Sequence, residues 1–503
     1  MKTKLIHYIR AGYAGLSIVS PEEQRVEAII KQVAGEVGYG LHAWSVTDGL
    51  LDTVNGTIKE INDPMDVLLA IEGLPEKNLI LLRDFHLFLG NDPNPVLVRK
   101  LKDVLHRSKT EAKTMLLLGC RCELPPELQR EVTTLTFSLP GREELEPVLE
   151  GLLESAPQLK LKPQEREQLL EATRGLTTIE AENALALSIV ETGKMVPAII
   201  HREKAHALKQ NGLLEIVDSP VSIAAVGGLD QLKGWLQKRK TAFSKEAKAY
   251  GLPAPKGMLV FGVSGTGKSL TAKATASVFD VPLLRLDVGR LFGSLVGQTE
   301  SNLRLAIQTA EAIAPVCLWL DEIEKAFSGS KSSGQTDGGT SARAFGSFLS
   351  WMQEKTSSVF VVATANEVSQ LPPELLRRGR FDEVWFVDLP NQQERESIWS
   401  IQIQKYGRKA REFDTTQLAR VTEGLTGAEI EQVWIEAMHE AFQEKTEPSD
   451  LTISSVLNEF VPLSKLMGEE IEGLRRWAKG RARPATTPVI ERRSRKLSLK
   501  EGA

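Results

Sequence analysis

"FGVSGTGKSLTAKATA", Phe261 to Ala276, decides the fold class. The apolar run Leu259–Phe261 leads into a glycine-rich turn, Gly262-Val263-Ser264-Gly265-Thr266-Gly267. Lys268, Ser269 and Leu270 follow, opening a run suited to a helix. The spacing fits GxxxxGK[ST], a phosphate-binding loop between a strand and a helix. Its glycines lack a Cβ, so backbone N–H groups can face phosphate oxygens. The positive N-terminal end of the helix adds to the attraction. Lys268 is placed to reach the β and γ phosphates, and Ser269 to ligate Mg2+.

A second part lies about fifty residues on, a separation that suits another strand of an α/β sheet. In "VCLWLDEIEKAF" the apolar run Val316–Leu320 reads as a buried parallel strand. Asp321 and Glu322 stand at its C-terminal end, where open α/β sheets bind ligands. Acids also favour helix starts in general. Beside a phosphate loop, Asp321 is expected to hold Mg2+ through water and Glu322 to polarise the attacking water. A third strand, "VFVVATAN", ends in Asn366, whose amide could position that water or touch the γ-phosphate.

With these parts in this order, residues from about 216 to 480 resemble an AAA-type ATPase of the AAA+ superfamily. "VGGLDQLKGWL" (Val226–Leu236) is similar to the segment that lines the adenine pocket in that family. "LPPELLRRGRFDEVWFVDLP" (Leu371–Pro390) resembles its second region of homology, and "GLTGAEIEQV" (Gly424–Val433) its lid helix. The resemblance implies ATP and Mg2+ as ligands. It assigns nucleotide contacts to Gly227, the loop residues Gly262 through Leu270, Gly427 and Ala428. It gives metal contacts to Ser269 and Asp321, and catalytic roles to Glu322, Asn366, Arg377 and Arg380. The two arginines fall on arginine-finger positions, which reach the nucleotide of a neighbouring subunit, so a homo-oligomer is implied, with a hexamer favoured. Arg380 has a second option, a salt bridge with Asp382 or Glu383.

Departures from that pattern shape the functional expectation. Leu295-Val296-Gly297 stands where threading members of the family often carry an aromatic residue. Leucine covers less surface and cannot stack, which argues against threading. The following Gly/Ser-rich stretch, "SGSKSSGQTDGGTSARAFG", is expected to be a mobile, solvent-facing loop. His439-Glu440 begins a metal-protease pattern, but Gln443 holds the position of the second imidazole, so zinc hydrolysis is rejected.

The first half of the chain echoes the second. "LPPELQREVTTLTFSLP" parallels "LPPELLRRGRFDEVWFVDLP", and "EATRGLTTIEAENALALSIV" parallels "RVTEGLTGAEIEQVWIEAM". The intervals agree as well: Pro140 to Gly175 spans 35 residues and Pro390 to Gly424 spans 34. The first half is therefore expected to be a degenerate AAA+-like module. "GLSIVSPEEQRV" has no lysine at the phosphate-loop position. "KNLILLRDF" is read as keeping Asp84 but placing Phe85 where the catalytic glutamate belongs. His86 reads as a turn residue, and this half as a structural or partner-binding domain.

Bulk composition sets the limits. The chain has 503 residues with a net charge of −4, so no global field favours nucleic acid or membrane. Its three cysteines are Cys120, Cys122 and Cys317, a low, odd count that suits a reducing compartment. No second Cys or His pair completes a zinc site around Cys120 and Cys122. No apolar run approaches the roughly 18 residues of a membrane span. The last segment, "LRRWAKGRARPATTPVIERRSRKLSLKEGA", is basic and reads as a disordered tail. Apart from Trp477 it has no interleaved aromatics for base stacking, so nucleic acid is not an expected partner.

The expected architecture is α/β: a P-loop AAA+ module with a helical lid, preceded by a degenerate AAA+-like α/β module with its own helical subdomain. The boundaries are expected at 1–145, 146–210, 211–390, 391–480 and 481–503. "KQNGLLEIVDSPVSIAAVGG" is read as the hinge between the halves. The whole layout resembles an uncharacterised AAA ATPase family of cyanobacteria and algal chloroplast genomes, which implies cytoplasm or plastid stroma. The expected function is Mg2+-dependent ATP hydrolysis coupled to remodelling or assembly of an unidentified protein partner, as a ring. The alternative is a nucleotide-dependent regulatory switch, and a nucleic-acid motor comes last.

Overall fold

The computed structural model describes all residues except 54, 91, 122–123, 211, 218–220, 293–297, 326–337, 378 and 488–503. Cys122, the Leu295-Val296-Gly297 triplet and the first part of the Gly/Ser-rich stretch thus lie outside the described residues. The chain forms two compact units, Met1–Lys204 and Ala205–Ala503. The division falls inside the helix Pro197–Gln210, earlier than the expected limit at 210. Leu208 on that helix already belongs to the second unit's core, beside Leu213 and Leu214.

In the first unit the strands are β1 (Gly15–Val19), β2 (Gly40–Ser45), β3 (Gly49–Asp52), β4 (Ile58–Lys59), β5 (Asn78–Arg83), β6 (Thr114–Gly119) and β7 (Val132–Thr136). They form one sheet in the order β4-β3-β2-β5-β6-β1-β7. The second unit has β8 (Leu214–Ile216), β9 (Gly257–Gly262), β10 (Leu283–Leu286), β11 (Val316–Leu320), β12 (Val359–Ala365), β13 (Glu383–Val387) and β14 (Arg483–Pro484). Their order is β14-β13-β9-β12-β11-β10-β8. The parallel strands β2-β5-β6-β1-β7 and β10-β11-β12-β9-β13 therefore follow one pattern. If each unit's parallel strands are numbered along the chain, both sheets read second, third, fourth, first, fifth. An antiparallel strand flanks each second strand, β3 against β2 and β8 against β10. The echo in the sequence is thus a repeated fold.

The central strands β9, β11 and β12 are buried throughout, as parallel strands covered on both faces must be. One face of the second sheet packs Phe261, Leu318 and Phe348, and the other packs Trp235, Trp319 and Trp385. The lid has its own core around Trp399, Ile430, Val433 and Trp434. Its helix Gly427–Gln443 starts with a capping box: Glu429 N–H donates to Thr426 Oγ1, and Thr426 N–H donates to Glu429 Oε2. The first unit repeats the device with Thr177 and Glu180 at the head of Thr178–Thr192.

Three expectations are corrected. Part of the expected hinge, Leu214–Ile216, is edge strand β8, paired antiparallel with β10. The Gly/Ser-rich stretch becomes helix from Gly338. The tail does not leave the fold at 481. Arg483 and Pro484 pair in parallel with Trp385 and Phe386, because the outer edge of β13 offers unpaired backbone groups that a returning chain can satisfy.

Candidate active site

The site lies at the carboxyl ends of β9, β11 and β12, where the strand order reverses. Gly262 ends β9 at φ +152°, and a Cβ there would come within 1.9 Å of Val387 O, so only glycine fits. Gly265 and Gly267 continue at φ +76° and +91°, turning the chain into the helix Lys268–Phe279. Val263 is buried, and its carbonyl accepts the Thr266 hydroxyl at 2.7 Å, which closes the loop on itself. Ser264 is exposed, while Leu270 leans on the core around Trp235 and Val260.

The Lys268 ammonium is buried. It donates to the carbonyls of Gly262 at 3.0 Å and Val263 at 2.6 Å, with no carboxylate at ion-pair distance among the described residues. Burial pushes it down to about 8, against the pull of Glu324, Asp321 and Glu322. A buried cation served only by main-chain carbonyls fits an anion-binding site.

Asp321 collects hydroxyls. Its Oδ1 accepts Thr364 Oγ1 at 2.6 Å and lies 3.3 Å from Ser269 Oγ, while Arg285 stands 3.7 Å from Oδ2. An oxygen-only donor set of Ser269 and Asp321 suits a hard cation such as Mg2+. Glu322 follows in the left-handed region at φ +51°, held there by its N–H donating to Thr364 Oγ1 at 3.2 Å. Its carboxylate accepts Asn366 Nδ2 at 3.1 Å and also contacts Lys325. The main-chain N–H of Asn366 donates to Glu324 Oε1 at 2.9 Å. Glu324 is buried, and burial raises its carboxyl above the usual range.

The lid closes directly on the loop. Ala428 N–H donates to Gly265 O at 3.1 Å, and a Cβ on Gly265 would lie 2.9 Å from Thr426 Oγ1. Gly227 fits against Ile398, which would be 2.4 Å from a Cβ at that position. Ile398 Cδ1 in turn lies 3.7 Å from a Cβ on Gly427. Gly227, Gly265, Gly427 and Ala428 are thereby brought to one place.

The two arginines differ. Arg377 is exposed, and its N–H donates to Glu374 O at 3.2 Å. Arg380 is half-buried and donates from Nη1 to the Glu374 carbonyl. The salt bridge offered for Arg380 is not formed: Asp382 accepts the N–H groups of Lys256 and Gly257, and Glu383 faces Arg483.

In the first unit the expected register at the corresponding strand end is corrected by one residue. Asp84, not Phe85, holds the left-handed turn at φ +52° that Glu322 holds in the second unit. Phe85 is buried like Ile323, so Arg83 takes the place of Asp321. Arg83 is paired with Glu27 at 2.5 Å, Glu23 at 3.5 Å and Asp48 at 3.4 Å. A guanidinium and its ion pairs stand where a metal ligand would be needed.

Sequence reasoning missed Thr364, Glu324 and Ile398. The alternating acids of "DEIE" signalled Glu324, since Glu322 and Glu324 flank the buried Ile323. Nothing local signalled the other two.

Comparison with known proteins adds the following. Residues 258–389 match the family described as "ATPase family associated with various cellular activities (AAA)", and residues 412–454 match the AAA+ lid domain. Residues 1–137 and 143–211 match the N-terminal and second domains of SpoVK-like AAA ATPases. The chain is 40% identical over 496 residues to the "Uncharacterized AAA domain-containing protein ycf46" of Trieres chinensis, covering 97% of this chain and 98% of that protein. It is 40% identical over 487 residues to the protein of the same name from Pyropia yezoensis, covering 95% of this chain and 98% of that protein. It is 32% identical over 238 residues to the proteasome-activating nucleotidase of Methanopyrus kandleri, covering 46% of this chain and 54% of that protein.

Proposed function

We propose, from the premise that this chain belongs to the AAA ATPases and among them to the family of the ycf46 proteins of plastid genomes, that it hydrolyses ATP with Mg2+ and couples the reaction to remodelling of a protein partner. One observation carries the reading: the buried Lys268 ammonium, served only by carbonyls, stands in the field of the Asp321 and Glu322 carboxylates.

Each residue has a physical task. The loop from Gly262 to Gly267 turns N–H groups toward the phosphates, and Lys268 neutralises charge there. Mg2+, when bound, would be held by Ser269 and, through water, by Asp321, and would offset phosphate charge. Glu322 accepts a hydrogen bond from the attacking water and polarises it, while Asn366 fixes the direction of the carboxylate. Gly227 faces the adenine beside Ile398, and Gly427 and Ala428 carry the lid onto the loop. The exposed Arg377 is available to a second copy, with Arg380 behind it, so hydrolysis would require assembly, with a hexameric ring as the favoured form. Plastid stroma or cyanobacterial cytoplasm is the proposed setting, in keeping with the plastid-genome relatives.

A second reading, a nucleotide-dependent switch without threading, is favoured by Arg83. The first unit repeats the sheet but fills the metal position with an ion-paired guanidinium, which preserves a shape rather than a reaction. Light scattering on Glu322→Gln with ATP and Mg2+ tests both readings, with Lys268→Ala as the binding-defective control. A nucleotide-dependent rise to a ring-sized mass supports the remodelling machine. A monomer at every concentration removes the ring and leaves the switch.

A further inference from the structure

The last described residues return to the nucleotide side of the second unit. Ala485 N–H donates to Phe386 O at 2.9 Å, and Ala485 O accepts the N–H groups of Gln231 and Leu232, each at 3.1 Å. Thr487 grips Asp230 through its N–H at 2.8 Å and through its hydroxyl. Between these two residues, the Thr486 hydroxyl donates to Glu394 Oε1 at 2.6 Å.

Glu394 joins three parts of the chain. The same Oε1 accepts the N–H of Leu229 at 2.9 Å, and Oε2 accepts the N–H of Asn391 at 3.0 Å at the head of the first lid helix, Gln392–Lys405. Gly228 must be glycine beside it, because φ is +71° and a Cβ would lie 2.1 Å from Oε1. Glu394 is 8% exposed, so a lost donor is poorly replaced by water. Nearby, Arg475 ties the final helix to Asp388, the start of the chain that leads from β13 into the lid, at 2.8 and 3.1 Å. An open cavity of about 610 Å³ between Asp388, Arg475, Pro484 and Thr486 leaves one side of this strap unpacked. Hydrogen bonds, more than packing, hold Thr486.

We propose that residues 481–487 form a clasp that sets the nucleotide affinity of the site. Glu394 is a positioning residue: it holds Gly227–Leu229 against the lid, and Thr486 holds Glu394. The inference rests on the reading of this site as an ATP site. With the clasp closed, the segment beside Ile398 is ordered before the base arrives. With it open, ATP binding must first order that segment, and affinity falls.

The test uses the full chain carrying Glu322→Gln and titrates ATP with Mg2+ by calorimetry. Thr486→Val is expected to weaken binding about tenfold, the lower end of what loss of one hydrogen bond to a charged group costs. Thr486→Ser, which keeps the hydroxyl, is expected to bind like the parent. Glu394→Met, which removes the acceptor oxygens, is expected to weaken binding by at least as much, and adding Thr486→Val to it to change nothing further, since both act through one contact. Melting temperatures of the ATP-free variants check that each is folded. A Thr486→Val chain that binds within twofold of the parent, or full additivity of the pair, overturns the clasp while leaving the ATP site standing. A parent chain that binds no ATP overturns the site reading itself, and the clasp with it.

Discussion

The side-chain amide of Asn366 donates to the carboxylate of Glu322 at 3.1 Å. The two residues come from the ends of neighbouring strands, β12 and β11, paired in parallel with Leu320 opposite Ala363. With the Lys325 ion pair on the other oxygen, the contact fixes the direction of the carboxylate, and aim is what the proposed water-activating role requires.

Replacing Asn366 with alanine is therefore expected to lower kcat about a hundredfold, in the range of lost acid–base and polar assistance, with ATP affinity changed less than about threefold. Glu322→Gln is expected to bind ATP and turn over slowly. Phosphate-release kinetics beside direct binding measurements separate the two quantities. An Asn366→Ala chain with unaltered kcat would show that the pair is idle.

Lys268 gives a pH signature. Its folded value of about 8 lies below the ordinary 10.5, so between these values the unfolded chain binds more protons than the folded one. Stability of the ATP-free protein is expected to rise with pH across that window, while below about pH 8 the burial cost is present in full. A bound triphosphate returns the ammonium to its charged form, so ATP binding near pH 8.5 is expected to take up a proton. Calorimetry in two buffers of different ionisation heat reads that proton directly. Lys268→Met is expected to abolish both the uptake and the binding.

The two arginines are expected to part company. Arg377→Ala leaves the fold intact and lowers turnover about a thousandfold, the scale of a lost arginine finger. Mixing it with Lys268→Ala restores some activity if the arginine acts on a neighbour's site, and leaves none if it acts within its own chain. Arg380→Ala also lowers the melting temperature, because the Glu374 carbonyl loses its guanidinium donor.

Arg83 is expected to matter for the first unit alone. Arg83→Ala leaves Glu23, Glu27 and Asp48 without their shared cation and costs about 1–2 kcal/mol, discounted for partial exposure. Its raised proton affinity comes mainly from the Glu27 hydrogen bond. The loss is expected to shrink in acid as Glu23, whose carboxyl burial raises, takes up its proton. Thermal unfolding at neutral and acid pH, with ATP binding measured alongside, shows whether the effect stays in this unit.

Much of this protein was legible in its residues. Contiguous chemistry marked the loop Gly262–Ser269, the acids Asp321 and Glu322 and the strand-end Asn366. Each is a local device whose residue types and spacing are themselves the mechanism. The first half's kinship to the second was also readable from paired intervals, and the sheet order bears it out.

Tertiary structure decided the rest. "KNLILLRDF" does not say where its strand ends. The left-handed turn at Asp84, and with it the placing of Arg83, is fixed by neighbouring strands and by burial of Phe85. The return of residues 481–487 to β13, and the meeting of Thr486, Glu394 and Leu229, join residues far apart in the chain. Sheet-edge pairing is made by backbone N–H and C=O groups that every residue carries, so no side chain announces it. The sequence by itself determined what chemistry the second unit is equipped for, because that chemistry resides in neighbouring residues. Which distant segments hold the nucleotide side in place was left to the fold, because backbone pairing is indifferent to residue type.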